Sequence, residues 1–329
     1  MTATLHTRFT DMFGLRYPVM AAPMAFHSGS TLAAAVSAAG AMGSFSGTHP
    51  FKDPDWILTE IATVQTATSQ PFAVGFITPF LPFTEALFDA ALTTRPTVVA
   101  FSFGDPGPWA AKARAAGSRV ICQVQTYNDA ALAVAAGADV LVAQGTEAGG
   151  HTGTMGLLPL LTGIVARYPD VPVLAAGGIA DGRSLAAALI AGADGVSLGT
   201  ALLATPEAVE VHQLRKQLII DSDGSDTIFT RVYDIASGLP WPAGIGERVR
   251  RNRFTDEWTE RETELRAKPN KPPLSTNPFE TTPDPDTDSI LYGESAGFVN
   301  TIRPAADVIH SLCDDADAIL RTRPNSLLR

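Results

Sequence analysis

Between residues 17 and 198, short apolar runs, many rich in β-branched residues, alternate with Ala-rich segments whose apolar positions recur at helical spacing. The runs fall at 17–22, 41–45, 72–77, 97–101, 119–124, 140–143, 172–175 and 195–198, and glycine or another turn former follows each. The segments 31–39, 109–116, 128–136 and 182–191 read as helices laid against the outside of a parallel sheet. Gly40, Gly117, Gly137 and Gly192 stand where a left-handed residue lets the chain leave a helix for the next strand. Residues 136–139 and 191–194 both read Ala-Gly-Ala-Asp, each leading into a strand, which marks a repeated unit. Eight such units by about residue 200 predict an α/β fold, a (β/α)8 TIM barrel over 1–205. A doubly wound open sheet uses the same units but seldom places eight successive parallel strands in such a span.

Beyond residue 205 the rhythm changes. A helix-like segment at 206–220 gives way to irregular, Pro- and Arg-containing sequence, and 268–288 holds six prolines, which predicts a long extended loop. The stretch 206–300 therefore reads as an appended, mainly helical cap able to close over the barrel's loops. An amphipathic helix at 305–321, within the closing segment 301–329, is expected to return to the barrel.

Hydrophobic residues make up 45% of the 329 and charged residues 18%, as in a folded globular protein. A net charge of −10 without a basic cluster argues against a nucleic-acid partner. Cys122 and Cys313 have neither CxxC spacing nor further partners, so no disulfide framework or cysteine zinc site is indicated. The first twenty residues lack the apolar core of a signal peptide, and no apolar run approaches the ~20 residues of a membrane span. A cytoplasmic protein is expected, and the acidic surface is compatible with a monomer or a homodimer.

Barrel chemistry sits at the carboxyl ends of the strands. After the seventh run come Ala176, Gly177 and Gly178, and after the eighth come Gly199 and Thr200; glycines there let backbone amides approach a phosphate, and Thr200 adds a hydroxyl. No G-x-G-x-x-G with an acidic residue at the ribose spacing occurs, so a mononucleotide flavin suits the chain better than a dinucleotide. Ala22, Pro23 and Met24 end the first strand and could lie against a flavin ring, and Gln123, polar in an apolar run, could meet a flavin carbonyl or ribityl hydroxyl. The sixth strand leads into QGTEAGGHTG at 144–153, where Gly149 and Gly150 precede His151. An imidazole there can accept a substrate proton or, protonated, hold an anion. Glu147 lies four residues before His151, but the glycines between them oppose a helix and no third ligand is evident, so no metal site is expected. His27, His49 and His212 have no comparable context.

QGTEAGGHTG, the segment 172–208 and AAPMA at 21–25 together resemble the nitronate monooxygenases, formerly 2-nitropropane dioxygenases. The resemblance covers nearly the whole chain, including Trp241-Pro242, Trp258 and 293–297 in the cap. It implies FMN in the barrel, with phosphate at Ala176, Gly177, Gly178, Gly199 and Thr200 and the ring near Ala22 to Met24, Gln123 and Gly150. It also implies that His151 is catalytic and that Ser295 contacts substrate. Residues 72–77 read FAVGFI where the family often has asparagine, so Gly75 marks a departure bearing on substrate orientation. The implied reaction is oxidation of alkyl nitronates, or nitroalkanes, by O2 to carbonyl compounds and nitrite. An FMN-dependent, NAD(P)H-using reductase of the enoyl-acyl-carrier-protein type carries similar motifs and is the alternative, with a non-catalytic flavin-binding barrel behind it.

Overall fold

A computed structural model describes residues 5–272 and 282–328. Eight parallel strands follow one another around a barrel: β1 (Val19–Ala21), β2 (Gly43–Ser46), β3 (Phe72–Ile77), β4 (Val98–Ser102), β5 (Arg119–Val124), β6 (Val140–Gln144), β8 (Val173–Ala176) and β9 (Gly195–Leu198). Between β6 and β8 lies β7 (Gly150–Thr152), which belongs to a different sheet. β9 pairs with β1, and a parallel bridge between Met20 and Met42 joins β1 to β2, closing the ring. Each of the eight barrel strands lies where an apolar run stands, with boundaries shifted by only a residue or two.

Two apolar layers hold the barrel. Inside it, Met20, Met42, Ala73, Val98, Ile121, Val142 and Leu174 pack together, and Phe9 and Leu15 join them from the helix Arg8–Phe13 and the turn after it. Outside it, the apolar faces of the helices cover the other side of the same strands. Side chains on alternate strand positions thus find apolar neighbours on both faces, which is why the runs are continuously apolar. The repeated Ala-Gly-Ala-Asp has a concrete purpose. The Asp139 carboxylate accepts from the backbone N–H of Val120, and the Asp194 carboxylate accepts from that of Val173, so each locks its own strand to the preceding one. Asp194 also takes two hydrogen bonds from the Arg8 guanidinium, fastening the N-terminal helix to the barrel floor.

The segment after the barrel is largely helical in its regular structure, with Gln213–Ile220, Val232–Ser237, Arg253–Trp258 and Glu262–Ala267. Its junction with the barrel, however, is a sheet that periodicity did not reveal. β10 (Thr227–Thr230) and β11 (Gly246–Arg250) are antiparallel, and β11 pairs with β7 from the barrel loop. Val232, Tyr233, Val249, Phe254, Trp258 and Leu265 form the cap's own small core. The helix expected from 206 begins only at Gln213, and the terminal helix, expected at 305–321, extends over Ala305–Leu327 and packs on Gly182–Ile190. Of the Pro-rich loop, 273–281 lie outside the described residues; its flanks at 268–272 and 282–288 carry neither helix nor strand. Among the described residues no helix is long and apolar enough to cross a membrane.

Candidate active site

The carboxyl ends of the strands and the inner face of the cap enclose one cavity. Ala22, Pro23 and Met24 after β1, Gln123 in β5, Gly149 to His151, Ala176 to Gly178 after β8, Gly199 and Thr200 after β9, and Ser295 from the cap all line it. Those sequence-predicted residues are therefore brought together. Gly75 is not: it lies in β3 with its α-carbon against Pro23, where an added Cβ would stand 2.3 Å from the proline Cβ. The expectation that position 75 orients a substrate needs correction, because Pro23 fills the space a side chain there would enter.

The glycines divide by what surrounds them. A Cβ on Gly149 would fall 2.4 Å from the backbone nitrogen of Gly293, and one on Gly177 would fall 2.9 Å from that of Ala148, so both are glycines because other backbone packs on them. Gly178 and Gly199 instead have no neighbour closer than 3.5 and 3.6 Å on that side. Directly after Gly199 stands Thr200, whose hydroxyl accepts from the Gly293 N–H at 2.9 Å and keeps its own proton to donate. The N–H groups of Thr200 and Ala201 open a short helix and make no backbone hydrogen bond among the described residues. This open, donor-rich corner suits a phosphate.

His151 faces the cavity from β7 rather than from an irregular turn, with a side chain 20% exposed. Its Nε2 lies 3.0 Å from Oδ1 of the buried Asp234, in the cap helix Val232–Ser237. The Trp241 indole stacks on the imidazole with centroids 3.6 Å apart and planes 16° from parallel. Phe80 and Phe103 meet the indole edge-on at 5.0 and 5.2 Å. Phe103 holds this position with a left-handed backbone, φ 64°, a conformation costly for a residue with a side chain. Below the ring, the Gln144 amide donates to the His151 carbonyl at 3.1 Å, and Gln125 donates to Gln144 at 2.8 Å. Opposite His151 in the antiparallel register stands Glu247, buried, which accepts from the Ser289 hydroxyl at 2.9 Å. Burial, opposed by the imidazole and reinforced by Asp234, pushes the Glu247 carboxyl up to about 7.

The sequence reading missed Asp234, Glu247 and the role of Trp241 against His151. All three come from the cap: Trp241 stood in the sequence only as part of the family resemblance, Asp234 and Glu247 had no motif to flag them, and the β7–β11 pairing sets Glu247 opposite the imidazole while the helix Val232–Ser237 brings Asp234. His27, set aside on sequence grounds, also lines the cavity; burial pulls its imidazole down to about 4, so it stands there neutral. Glu147 is occupied elsewhere: its carboxylate accepts from the Leu157 N–H at 3.0 Å, at the start of helix Leu157–Arg167.

The family model for nitronate monooxygenase matches residues 6–89 and 82–315. The chain belongs to the nitronate monooxygenase family. A nitronate monooxygenase of Pseudomonas aeruginosa is 36% identical over 248 residues, covering 61% of this chain and 70% of that one. Among solved structures, FabK from Thermotoga maritima is 29% identical with a TM-score of 0.85, covering 98% of this chain and all of that one. A nitroalkane oxidase from Streptomyces ansochromogenes is 28% identical with a TM-score of 0.75, covering 96% and 99%. Membership in the nitronate monooxygenase family makes this chain an oxidoreductase. Both solved likenesses span the cap as well as the barrel.

Proposed function

We propose that the protein binds FMN without a covalent link and oxidises alkyl nitronates with O2 to carbonyl compounds and nitrite. The observation that carries this reading is the clamped imidazole of His151, held between Asp234 and Trp241 at a cavity whose far corner is the Gly178/Gly199 cradle. The cradle fits a flavin phosphate because its glycines leave the volume of a side chain open beside Thr200. Gln123 lines the same cavity and its side chain has no hydrogen-bond partner among the described residues, so its amide is available to a flavin carbonyl or ribityl hydroxyl. Ala22, Pro23 and Met24 present small or apolar surface for the ring. When bound, FMN supplies the electron-transfer chemistry that none of these side chains can.

His151 handles charge and protons. With Nε2 directed at a carboxylate, the neutral ring carries its proton on that nitrogen and leaves Nδ1 as an acceptor. A neutral nitroalkane placed there would lose its α-proton to Nδ1 as the C–H bond breaks, and the electron pair would stay on the substrate as the nitronate. The resulting imidazolium lies beside Asp234 and faces the anion it has generated. Trp241 fixes the plane of the ring, and its Nε1–H, buried without a protein partner among the described residues, is a donor available to a nitro oxygen. Phe80 and Phe103 exclude water on the indole's far side.

Anaerobic absorbance titration with propyl nitronate, followed by admission of air and a nitrite assay, tests the reading. The flavin band should change without oxygen, and nitrite should form after it. His151→Asn should retain the flavin spectrum and lose roughly 10²–10⁴-fold in turnover; undiminished turnover would remove His151 from the mechanism. Rapid anaerobic bleaching by NADH or NADPH coupled to enoyl-thioester reduction would assign the site to a reductase instead. A yellow protein inert to both would make it a flavin carrier.

A further inference from the structure

The acid beside His151 is not single. Asp234 reaches Nε2 directly, and Glu247 stands opposite His151 across the β7–β11 ladder, where facing side chains approach closely. Both acids are buried, Asp234 at 6% and Glu247 at 3% exposure. Each has one carboxylate oxygen, Oδ2 of Asp234 and Oε1 of Glu247, sealed from solvent without a hydrogen-bond partner among the described residues. A buried carboxylate oxygen left unpaired is costly, and a site that retains two of them beside one imidazole has an electrostatic use for both. A second acid is not needed to orient the ring, because Asp234 and the Trp241 stack already do that. What a second acid adds is charge.

We propose that Glu247 is a positioning residue for His151, whose carboxylate keeps the imidazole in its protonated, anion-holding form to higher pH than Asp234 alone would. This rests on the reading of His151 as the group that meets the substrate. Two placements of the same proton then have equal net charge. In one, Glu247 is a neutral acid and the imidazole is neutral; in the other, Glu247 is ionised and the imidazole is protonated. Passing the proton between them requires no net change in the buried charge, whereas protonating the imidazole without Glu247 changes it by one.

The groups that face Glu247 are consistent with this. From β7 comes His151, from the helix Val232–Ser237 come Asp234 and Tyr233, and from the segment leading to Leu291 comes the Ser289 hydroxyl, with Asp288 beyond it on the Tyr233 side. Arg215 donates to the Ser289 carbonyl at 2.6 Å and is the nearby cation, its charge also reaching His27 at the cavity. Burial first and Asp234 second oppose ionisation of Glu247, while the imidazolium and the Ser289 hydroxyl favour it. Its charge therefore appears around neutral pH.

The test follows the imidazole itself by 15N chemical shifts in full-length, flavin-loaded protein labelled at histidine, with the His151→Asn spectrum assigning the signal. In Glu247→Gln, which keeps the shape and removes the charge, the His151 titration should move to lower pH by about one unit. A titration that superimposes on wild type, or moves upward, overturns the proposal. If Glu247→Gln fails to fold, Ser289→Ala decides. Loss of that donor disfavours ionised Glu247, so a smaller movement in the same direction is expected, and none overturns it. Nitronate turnover plays no part in this readout. Absence of nitrite formation would sink the proposed function and leave the titration result standing, and unchanged titration with active enzyme would do the reverse.

Discussion

At the scale of single residues, His151 is defined by groups far from it in sequence. Asp234, Trp241 and Glu247 lie 83, 90 and 96 positions away, and together they set the ring's plane, tautomer and charge. Glu247 has a consequence for stability as well. Its carboxyl titrates from an ordinary 4.5 to about 7 on folding, chiefly by burial, so the native state holds a proton that the unfolded chain releases. The associated stability is fully present below about pH 4.5 and is lost as pH rises to about 7. Glu247→Gln has no such loss. Urea unfolding at pH 5 and pH 8 should show wild type losing on the order of 1–3 kcal/mol relative to the variant across that window; parallel behaviour would show that Glu247 ionises normally in the fold. Gly75 is the opposite case, a residue singled out by sequence that proves to be packing, its missing side chain replaced by Pro23.

At the scale of elements, the strand ends do the work of assembly. The turns after β8 and β9 bring Gly178 and Gly199 to one corner, and Thr200 is tied to the cap through Gly293. Gly199 has a negative φ, −110°, and a Cβ there would make only ordinary contacts, the nearest with Met24 Sδ at 3.6 Å. Gly199→Ala therefore places a methyl group in the cradle at ordinary contact distance. Flavin affinity, measured by fluorescence quenching of apoprotein, should fall at least about tenfold, equivalent to ~1.4 kcal/mol, with the circular dichroism of the apoprotein unchanged. Retained affinity would place the phosphate elsewhere. The barrel strands and helix-ending glycines were legible because continuous apolar runs and repeated turns are local signals. β7, β10 and β11 were not, since three to five residues of mixed polarity carry too little periodicity to mark a strand.

At the scale of the molecule, the chain closes on itself twice. The barrel closes through Met20 and Met42, and the terminal helix Ala305–Leu327 runs back across Gly182–Ile190 and Ser30–Ala38. That contact is close: a Cβ on Gly182 would stand 2.4 Å from the Cβ of Asp315. Leu312 is 2% exposed at this seam, and Leu312→Ala should cost about 2–5 kcal/mol in urea unfolding. A loss below ~1 kcal/mol would show that the terminal helix is weakly coupled to the barrel. The seam lies against Gly182–Ile190, the helix that follows the β8 turn.

By itself the sequence determined the barrel, the order of its strands, and the family motifs that put Gly177, Gly178, Gly199, Thr200 and His151 at the strand ends. These depend on neighbours within a few residues, so composition and spacing record them. Only the tertiary structure decided which acids flank His151, that Trp241 lies on it, and that Gly149 and Gly177 accommodate backbone. Such contacts are made by strand register and by a cap folding back across some hundred residues of chain, and no local pattern encodes which side chain arrives opposite which.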